Sequence, residues 1–294
     1  MKKQFKSGFV ALIGRPNVGK STLLNRVLGS KISITADKPQ TTRDRILGIY
    51  DDDEAQAVFL DTPGIHQSDK LLNQYMQAAA LAGLADADLV IMLVEAGDTP
   101  QQLELVLELP VDCAKPVILV LNKADKLSPE QIDAKLDDIV DLRDFAAVFS
   151  ISALKGAGVD ELLDFIKQSL PEGPRYFDPE ELTDLSMRFL TQELIREKVF
   201  RLTRQEVPYA VAVVVEEFRE NEEPIHITAC IHVEKDSQKG IVIGRGGSML
   251  KKIGIEARRD IERLMGNRVF LELFVRVTKD WTKNPRIMKE LGYN

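Results

Sequence analysis

The stretch Gly14-Arg15-Pro16-Asn17-Val18-Gly19-Lys20-Ser21 constrains this chain more than any other. It follows the apolar run Phe9–Ile13 and leads into Thr22–Leu28, which reads as a buried strand, a glycine-containing loop and an amphipathic helix. Gly14 and Gly19 let the backbone curl so that consecutive N–H groups face one anion, and the helix N-terminus behind them adds a partial positive charge. Lys20 can reach the β- and γ-phosphates of a nucleotide, and the Ser21 hydroxyl can ligate Mg²⁺. The bland alternative is a strand-to-helix turn with no ligand; a full eight-residue pattern in the right context argues against it.

Short apolar runs alternate with helical patterns over the first 170 residues. Candidate strands after the first are Arg45–Tyr50, Ala57–Leu60, Leu89–Val94, Val117–Leu121 and Ala147–Ile151. Helical stretches include Leu71–Gly83, Gln101–Leu109, Pro129–Leu142 and Val159–Leu170. Such alternation predicts an α/β domain over residues 1–170, with a mainly parallel sheet covered by helices on both faces. Ligands of these sheets bind beyond the C-terminal strand ends. Residues 171–180, with prolines at 171, 174 and 179 and a glycine at 173, read as a linker. Beyond them the pattern predicts a helix Glu181–Leu202, strands Ala210–Phe218 and Ile225–Val233, and a glycine-rich loop. A helix Ser248–Leu264, a strand Val269–Val277 and a short terminal helix complete a separate, smaller α+β domain over 181–294.

Three further short motifs each follow a candidate strand, so the fold would gather them on one edge with the phosphate loop. Asp61-Thr62-Pro63-Gly64 offers a carboxylate to hold Mg²⁺ through a water and a Gly64 N–H for the γ-phosphate. In Asn122-Lys123-Ala124-Asp125, Asp125 can accept two hydrogen bonds from guanine N1 and N2, donors that adenine lacks as a pair. Ser152-Ala153-Leu154 offers a backbone N–H to guanine O6. The polar segment from Ser33 to Asp44 suits a switch that completes the Mg²⁺ shell through a threonine hydroxyl, Thr42 in preference to Thr41, when a γ-phosphate is present. A P-loop ATPase or kinase is the rival reading, and Asp125 argues against it.

The net charge of −7 conceals an asymmetry: Lys and Arg number 19 against 28 acidic residues over 1–180, but 14 against 7 over 235–294. A basic end on an acidic protein suggests a polyanionic partner. Within it, Gly244-Arg245-Gly246-Gly247 fits the G-x-x-G loop of a KH domain, whose glycines let the backbone approach a sugar–phosphate chain and clamp about four nucleotides. Ile243 precedes the loop, while Lys251, Lys252 and Arg258 follow it on the next helix; Arg259, Arg263 and Arg268 enlarge the positive surface. A regulatory GTPase whose basic end docks on acidic lipid or on a protein is the other reading, although lipid has no need of a clamp loop.

Taken together, these motifs resemble the Era family of bacterial GTPases. The phosphate loop, Gln40-Thr41-Thr42-Arg43, Asp61–His66, Asn122–Asp125, Val242–Gly247 and Ile253–Arg258 all match, over essentially all 294 residues. The resemblance implies a GTP-hydrolysing switch with a type II KH domain, bound to the 3′ region of 16S ribosomal RNA and acting in 30S subunit assembly. It also implies GTP, GDP and Mg²⁺ as ligands, a monomer in the cytoplasm, and peripheral contact with the inner face of the membrane. Many small GTPases orient the attacking water with a glutamine where this chain has Ile65, so slow intrinsic turnover is expected. Catalysis then falls to Lys20, Thr42, Gly64 and the metal. Relatives with an apolar residue there use a monovalent cation, and Asn17 matches the asparagine that ligates K⁺, though it also suits a turn. His66, His226 and His232 read as structural rather than catalytic. Cys113 and Cys230 lack metal or redox spacing and fit a reducing compartment.

Overall fold

The computed structural model describes residues 4–36, 38, 41–64, 71–95, 97–107, 115–203 and 207–293. Ile65, His66, Gln40 and Cys113 of the expectations above lie outside them. The chain divides into two units.

The first is a six-stranded sheet in the order β2-β3-β1-β4-β5-β6, built from β1 (Lys6–Gly14), β2 (Ile46–Asp51), β3 (Ala55–Asp61), β4 (Leu89–Glu95), β5 (Val117–Asn122) and β6 (Ala147–Ser150). All neighbours pair in parallel except β2 with β3. The helices of this unit are α1 (Lys20–Leu28), α2 (Leu71–Asp86) from Met76 onward, α3 (Pro100–Leu107), α4 (Pro129–Val140) and α5 (Val159–Ser169). Alternation along the strands sorts these helices. Ala11 and Ile13 of β1 and Val90 and Met92 of β4 pack with Leu84 of α2 and Val106 of α3 on one face. Leu119 and Leu121 of β5 meet Leu103 of α3 and Ile139 of α4 on that face. The opposite face is covered by α1 and α5, which lie against β1 and β3. The mainly parallel sheet covered on both sides is therefore the fold expected. Strands β1, β3, β4 and β5 are buried nearly throughout, as parallel strands under two helical layers must be.

Residues 171–180 are not a free linker. Ser7 N–H donates to Pro171 O at 3.0 Å, and Gly173 N–H to Phe5 O at 3.1 Å. The buried Gln56 carboxamide accepts from Tyr176 N–H (2.7 Å) and Phe177 N–H (3.0 Å). Arg175 pairs with Asp51 at 2.8 Å and lies over the Phe5 ring. Prolines that forbid a helix still permit an extended strap along the sheet edge.

The expected helix start at Glu181 is also corrected. Leu182 O accepts from Ile49 N–H (2.9 Å) and Thr183 Oγ1 donates to Leu47 O (2.6 Å), which keeps this stretch extended along β2. The helix α6 runs Met187–Leu202, with Ser186 Oγ capping Phe189 N–H.

The second unit contains α6, β7 (Ala212–Arg219), β8 (Ile225–Val233), α7 (Asp236–Ile243), α8 (Ser248–Met265), β9 (Val269–Val277) and α9 (Pro285–Glu290). Strand β8 is central, antiparallel to β7 and parallel to β9. Every second residue of β8, from Ile225 to Val233, faces a core shared with Leu194, Ile195 and Val199 of α6 and Ile253, Ala257 and Ile261 of α8. Helix α7 stands where the sequence suggested only a glycine-rich loop, and it runs unbroken through Gly240. Gln238 Oε1 starts it by accepting from Glu234 and Lys235 N–H at 2.9 and 3.0 Å. Residues Ile34–Thr41 also group with this unit, where Thr35 N–H donates to the buried Glu197 carboxylate at 3.0 Å.

Candidate functional site

At the C-terminal edge of the first sheet the chain turns out of β1 through a phosphate loop whose conformation explains its glycines. Gly14 (φ 150°), Asn17 (φ 65°) and Gly19 (φ 105°) all take positive φ. A Cβ on Gly19 would also fall 2.2 Å from the Asn122 amide. Lys20 folds back, donating to Gly14 O and Arg15 O at 3.0 Å each. Burial pulls its ammonium down to about 8 and pushes the Asp61 carboxyl upward, each opposed by the other's charge. A buried cation and a buried anion held this way favour a charged ligand that would complete their solvation.

Asp61 ends β3. Its Oδ2 accepts from Ser21 Oγ at 2.6 Å and from Ser33 Oγ at 2.7 Å, and Thr42 Oγ1 lies 2.9 Å from Ser21 Oγ. Thr41 is turned elsewhere, donating to Lys38 O. Asp61 Oδ1 is buried with no hydrogen-bond partner. Two hydroxyls and one carboxylate with an unsatisfied oxygen fit a hard divalent cation. No group of three His, Cys, Asp or Glu side chains able to hold a metal occurs among the described residues.

Thr62, read from sequence as a ligand contact, points inward and donates to Leu12 O at 2.7 Å. Its side chain locks the end of β3 to β1. Gly64 sits against the phosphate loop, where a Cβ would fall 2.6 Å from the Pro16 backbone. Pro63 carries the chain between them. Thr22 and Val18 flank the loop on either side of Lys20, with the Val18 side chain fully buried.

Asn122 braces the base loops. Its Nδ2 donates to Val18 O at 2.7 Å, and its Oδ1 accepts from Ala153 N–H at 3.0 Å. Ala124 N–H bonds Ile151 O, while Lys123, at φ 65°, pairs with Glu95. Asp125 Oδ1 accepts from Ser152 Oγ at 2.7 Å, with Lys155 Nζ 3.4 Å from Oδ2. The Ser152 hydrogen bond, helped by Lys155, holds the Asp125 carboxyl below its ordinary value. Leu154 projects outward, 70% exposed.

Three supports escaped sequence reading. Arg15 pairs with the buried Asp98, which accepts from Glu95 N–H through its other oxygen. Arg26 of α1 reaches the carbonyls of Ala153 and Leu154. Ser33 is the third. Each lies many residues from its partner, so no local pattern marks it.

In the second unit Gly244 (φ 73°), Gly246 (φ 59°) and Gly247 (φ 80°) form the turn between α7 and α8. A Cβ on Gly244 would meet Met249 Cβ at 2.7 Å. Behind the turn a groove of about 340 Å³ is lined by Gly247, Leu250, Lys251, Ile255, Arg258 and Leu273, among others. Gly254 keeps the groove open opposite Leu273. Arg245 is exposed at the tip. Ile243 ends α7 half-buried and does not line the groove, and Lys252 faces the other side of α8.

A family model described as 50S ribosome-binding GTPase matches residues 9–123, and a KH domain model matches 206–282. The GTPase Era of Geotalea uraniireducens is 52% identical over 294 residues, 99% of each chain. That of Geobacter metallireducens is 53% identical over 292 residues, 98% of each. The chain belongs to the Era family of GTPases. Among solved structures, Era in complex with MgGDPNP and nucleotides 1506–1542 of 16S ribosomal RNA superposes with a TM-score of 0.94 at 40% identity, covering 98% of this chain and 99% of that one. A single-substitution variant of Aquifex aeolicus Era bound to GDP·AlF4⁻ superposes equally well. The chain is thus a P-loop GTPase with a C-terminal KH domain, as its motifs implied. No helix among the described residues is long and apolar enough to cross a membrane.

Proposed function

We propose that this GTPase binds the 3′ region of 16S ribosomal RNA through its KH domain and acts in small-subunit assembly. The observation that carries the reading is the groove behind Gly244–Gly247, with an apolar floor and Lys251 and Arg258 on its rim. Its apolar lining and its charge suit unstacked bases flanked by phosphates.

In the nucleotide site, the N–H groups of Gly14–Thr22 cradle the phosphates and Lys20 neutralises them. Ser21 and Thr42 would hold Mg²⁺ directly and Asp61 through water; when bound, the metal neutralises charge developing on the β- and γ-phosphates. Asp125 reads guanine N1 and N2. Because Asn122 engages the Ala153 N–H, Leu154 N–H is the donor this loop offers guanine O6. Gly64, against Pro16, would donate its N–H to the γ-phosphate.

The RNA assignment is tested by crosslinking the GTP-loaded and GDP-loaded protein in cells and sequencing the RNA recovered. Enrichment of the 16S 3′ region in one nucleotide state is expected; recovery of no ribosomal RNA from either overturns the reading.

Asn17 carries a separate expectation. As a K⁺ ligand beside the phosphates, it should make hydrolysis faster in KCl than in NaCl at equal ionic strength. Asn17→Ala should abolish the difference while leaving GDP affinity near wild type. Equal wild-type rates in the two salts would remove K⁺ from the mechanism.

A further inference from the structure

Asn25 lies one turn beyond Ser21 on α1, so the two side chains share a face of that helix. Its carboxamide brackets the chain where the polar segment from Ser33 to Asp44 begins. Asn25 Oδ1 accepts from Ile32 N–H and Ser33 N–H at 2.9 Å each, and Nδ2 donates to Ser33 O at 2.6 Å. Ile32, Ser33 and Ile34 are all buried, in a stretch that belongs to no helix or strand. One side chain thus supplies three partners that secondary structure does not.

The bracketed residue also reaches the metal-site carboxylate. Ser33 Oγ donates to Asp61 Oδ2 at 2.7 Å, beside the 2.6 Å bond from Ser21 Oγ. Toward the far end of the same segment, Thr42 Oγ1 lies 2.9 Å from Ser21 Oγ. Both ends of the segment therefore meet on one cluster, Ser21 with Asp61, and α1 carries that serine and the bracket together. A bracket that served only to satisfy buried backbone would not need the Ser33 hydroxyl on Asp61.

We infer that Asn25 and Ser33 are positioning residues for the triphosphate state. Asn25 fixes the root of the switch segment, and Ser33 ties that root to Asp61. The segment then closes through Thr42 from a set starting point, and only the residues between Ser33 and Thr42 have to order. Fixing backbone is costly residue by residue, so a root that is already fixed favours closure on GTP. GDP lacks the γ-phosphate that brings Thr42 in, and gains nothing from the fixed root. The inference rests on the nucleotide-site reading above.

The test titrates fluorescent GDP and the non-hydrolysable analogue GMPPNP, with Mg²⁺ present, against full-length wild type, Asn25→Ala and Ser33→Ala. Each variant should weaken GMPPNP binding about tenfold, the scale of fixing one more residue's backbone on closure, and GDP binding by less than about twofold. Ser30→Ala, in the loop just before the bracket, should change neither. Hydrogen exchange on wild type reads the root directly. The Ser33 amide should exchange slowly with either nucleotide, whereas the Thr42 amide should be slow only with GMPPNP. Equal losses for the two nucleotides would reduce the bracket to a brace of the fold and overturn the proposal. So would unchanged GMPPNP binding in both variants, or fast exchange at Ser33 with GDP. Thr42 protection that is the same with both nucleotides would instead refute the switch reading of Thr42. Thermal unfolding checks the variants, and if Asn25→Ala fails to fold, Ser33→Ala and the exchange measurement still decide.

Discussion

Asp125→Asn should weaken GTP and GDP binding by a hundredfold or more while leaving the fold intact. The wild-type carboxylate is held by Ser152 Oγ at 2.7 Å and kept charged by that bond and by Lys155. It therefore presents acceptors to the guanine N1–H and N2 amino group. An asparagine keeps the partnership with Ser152 but turns an amide donor toward two donors of the base. Sites built to pair with a particular polar pattern reject its mismatch by large factors, because groups on both sides lose their hydrogen bonds. Xanthine has an acceptor where guanine has its amino group, so xanthosine triphosphate should regain part of the lost affinity in the variant. Fluorescent-nucleotide titration checks both statements. ATP binding to wild type as tightly as GTP would overturn the assignment of Asp125 to the base.

Arg245→Asp/Gly246→Asp should abolish most binding to single-stranded RNA while GTP hydrolysis without RNA stays near wild type. Arg245 is exposed at the tip of the turn, and a Cβ on Gly246 meets no atom within 4 Å. Gly246 does sit at φ 59°, so the change is not free of strain, but Asp is among the side chains that enter that region most readily. Each carboxylate stands where a phosphate must approach, and the first change also removes a cation. A loss of a hundredfold or more is expected at low ionic strength, shrinking as salt screens the repulsion. Lys2→Asp/Lys3→Asp changes the net charge by more and should have little effect. If that control loses as much affinity as the turn variant, the attraction is general and no clamp exists.

The sequence by itself determined the parts whose physics is local. A strand, a glycine loop and a helix N-terminus place Lys20 and Ser21 within a few residues of one another, so spacing alone identifies the phosphate cradle. Asp61, Asp125 and Ser152 could be assigned because each lies at or just beyond the C-terminal end of a strand, and parallel strands deliver those ends to one edge. The alternation of β8 likewise marked the face that forms the KH core. Where local signals conflict, the sequence misled: the glycines from 240 to 247 suggested a loop where α7 forms, and three prolines suggested a linker where long-range hydrogen bonds make a strap.

Tertiary structure decided the rest. Asn122 looks like a base contact in its motif, yet it joins Val18 to Ala153, residues 104 and 31 positions away. Thr62 looks like a ligand contact, yet its hydroxyl bonds Leu12 O across the sheet. Asp98 beneath Arg15 and Ser33 beside Asp61 have no motif at all. Hydrogen bonds and charge clusters form between whichever groups packing brings together, and packing is fixed by the burial of apolar faces rather than by order along the chain.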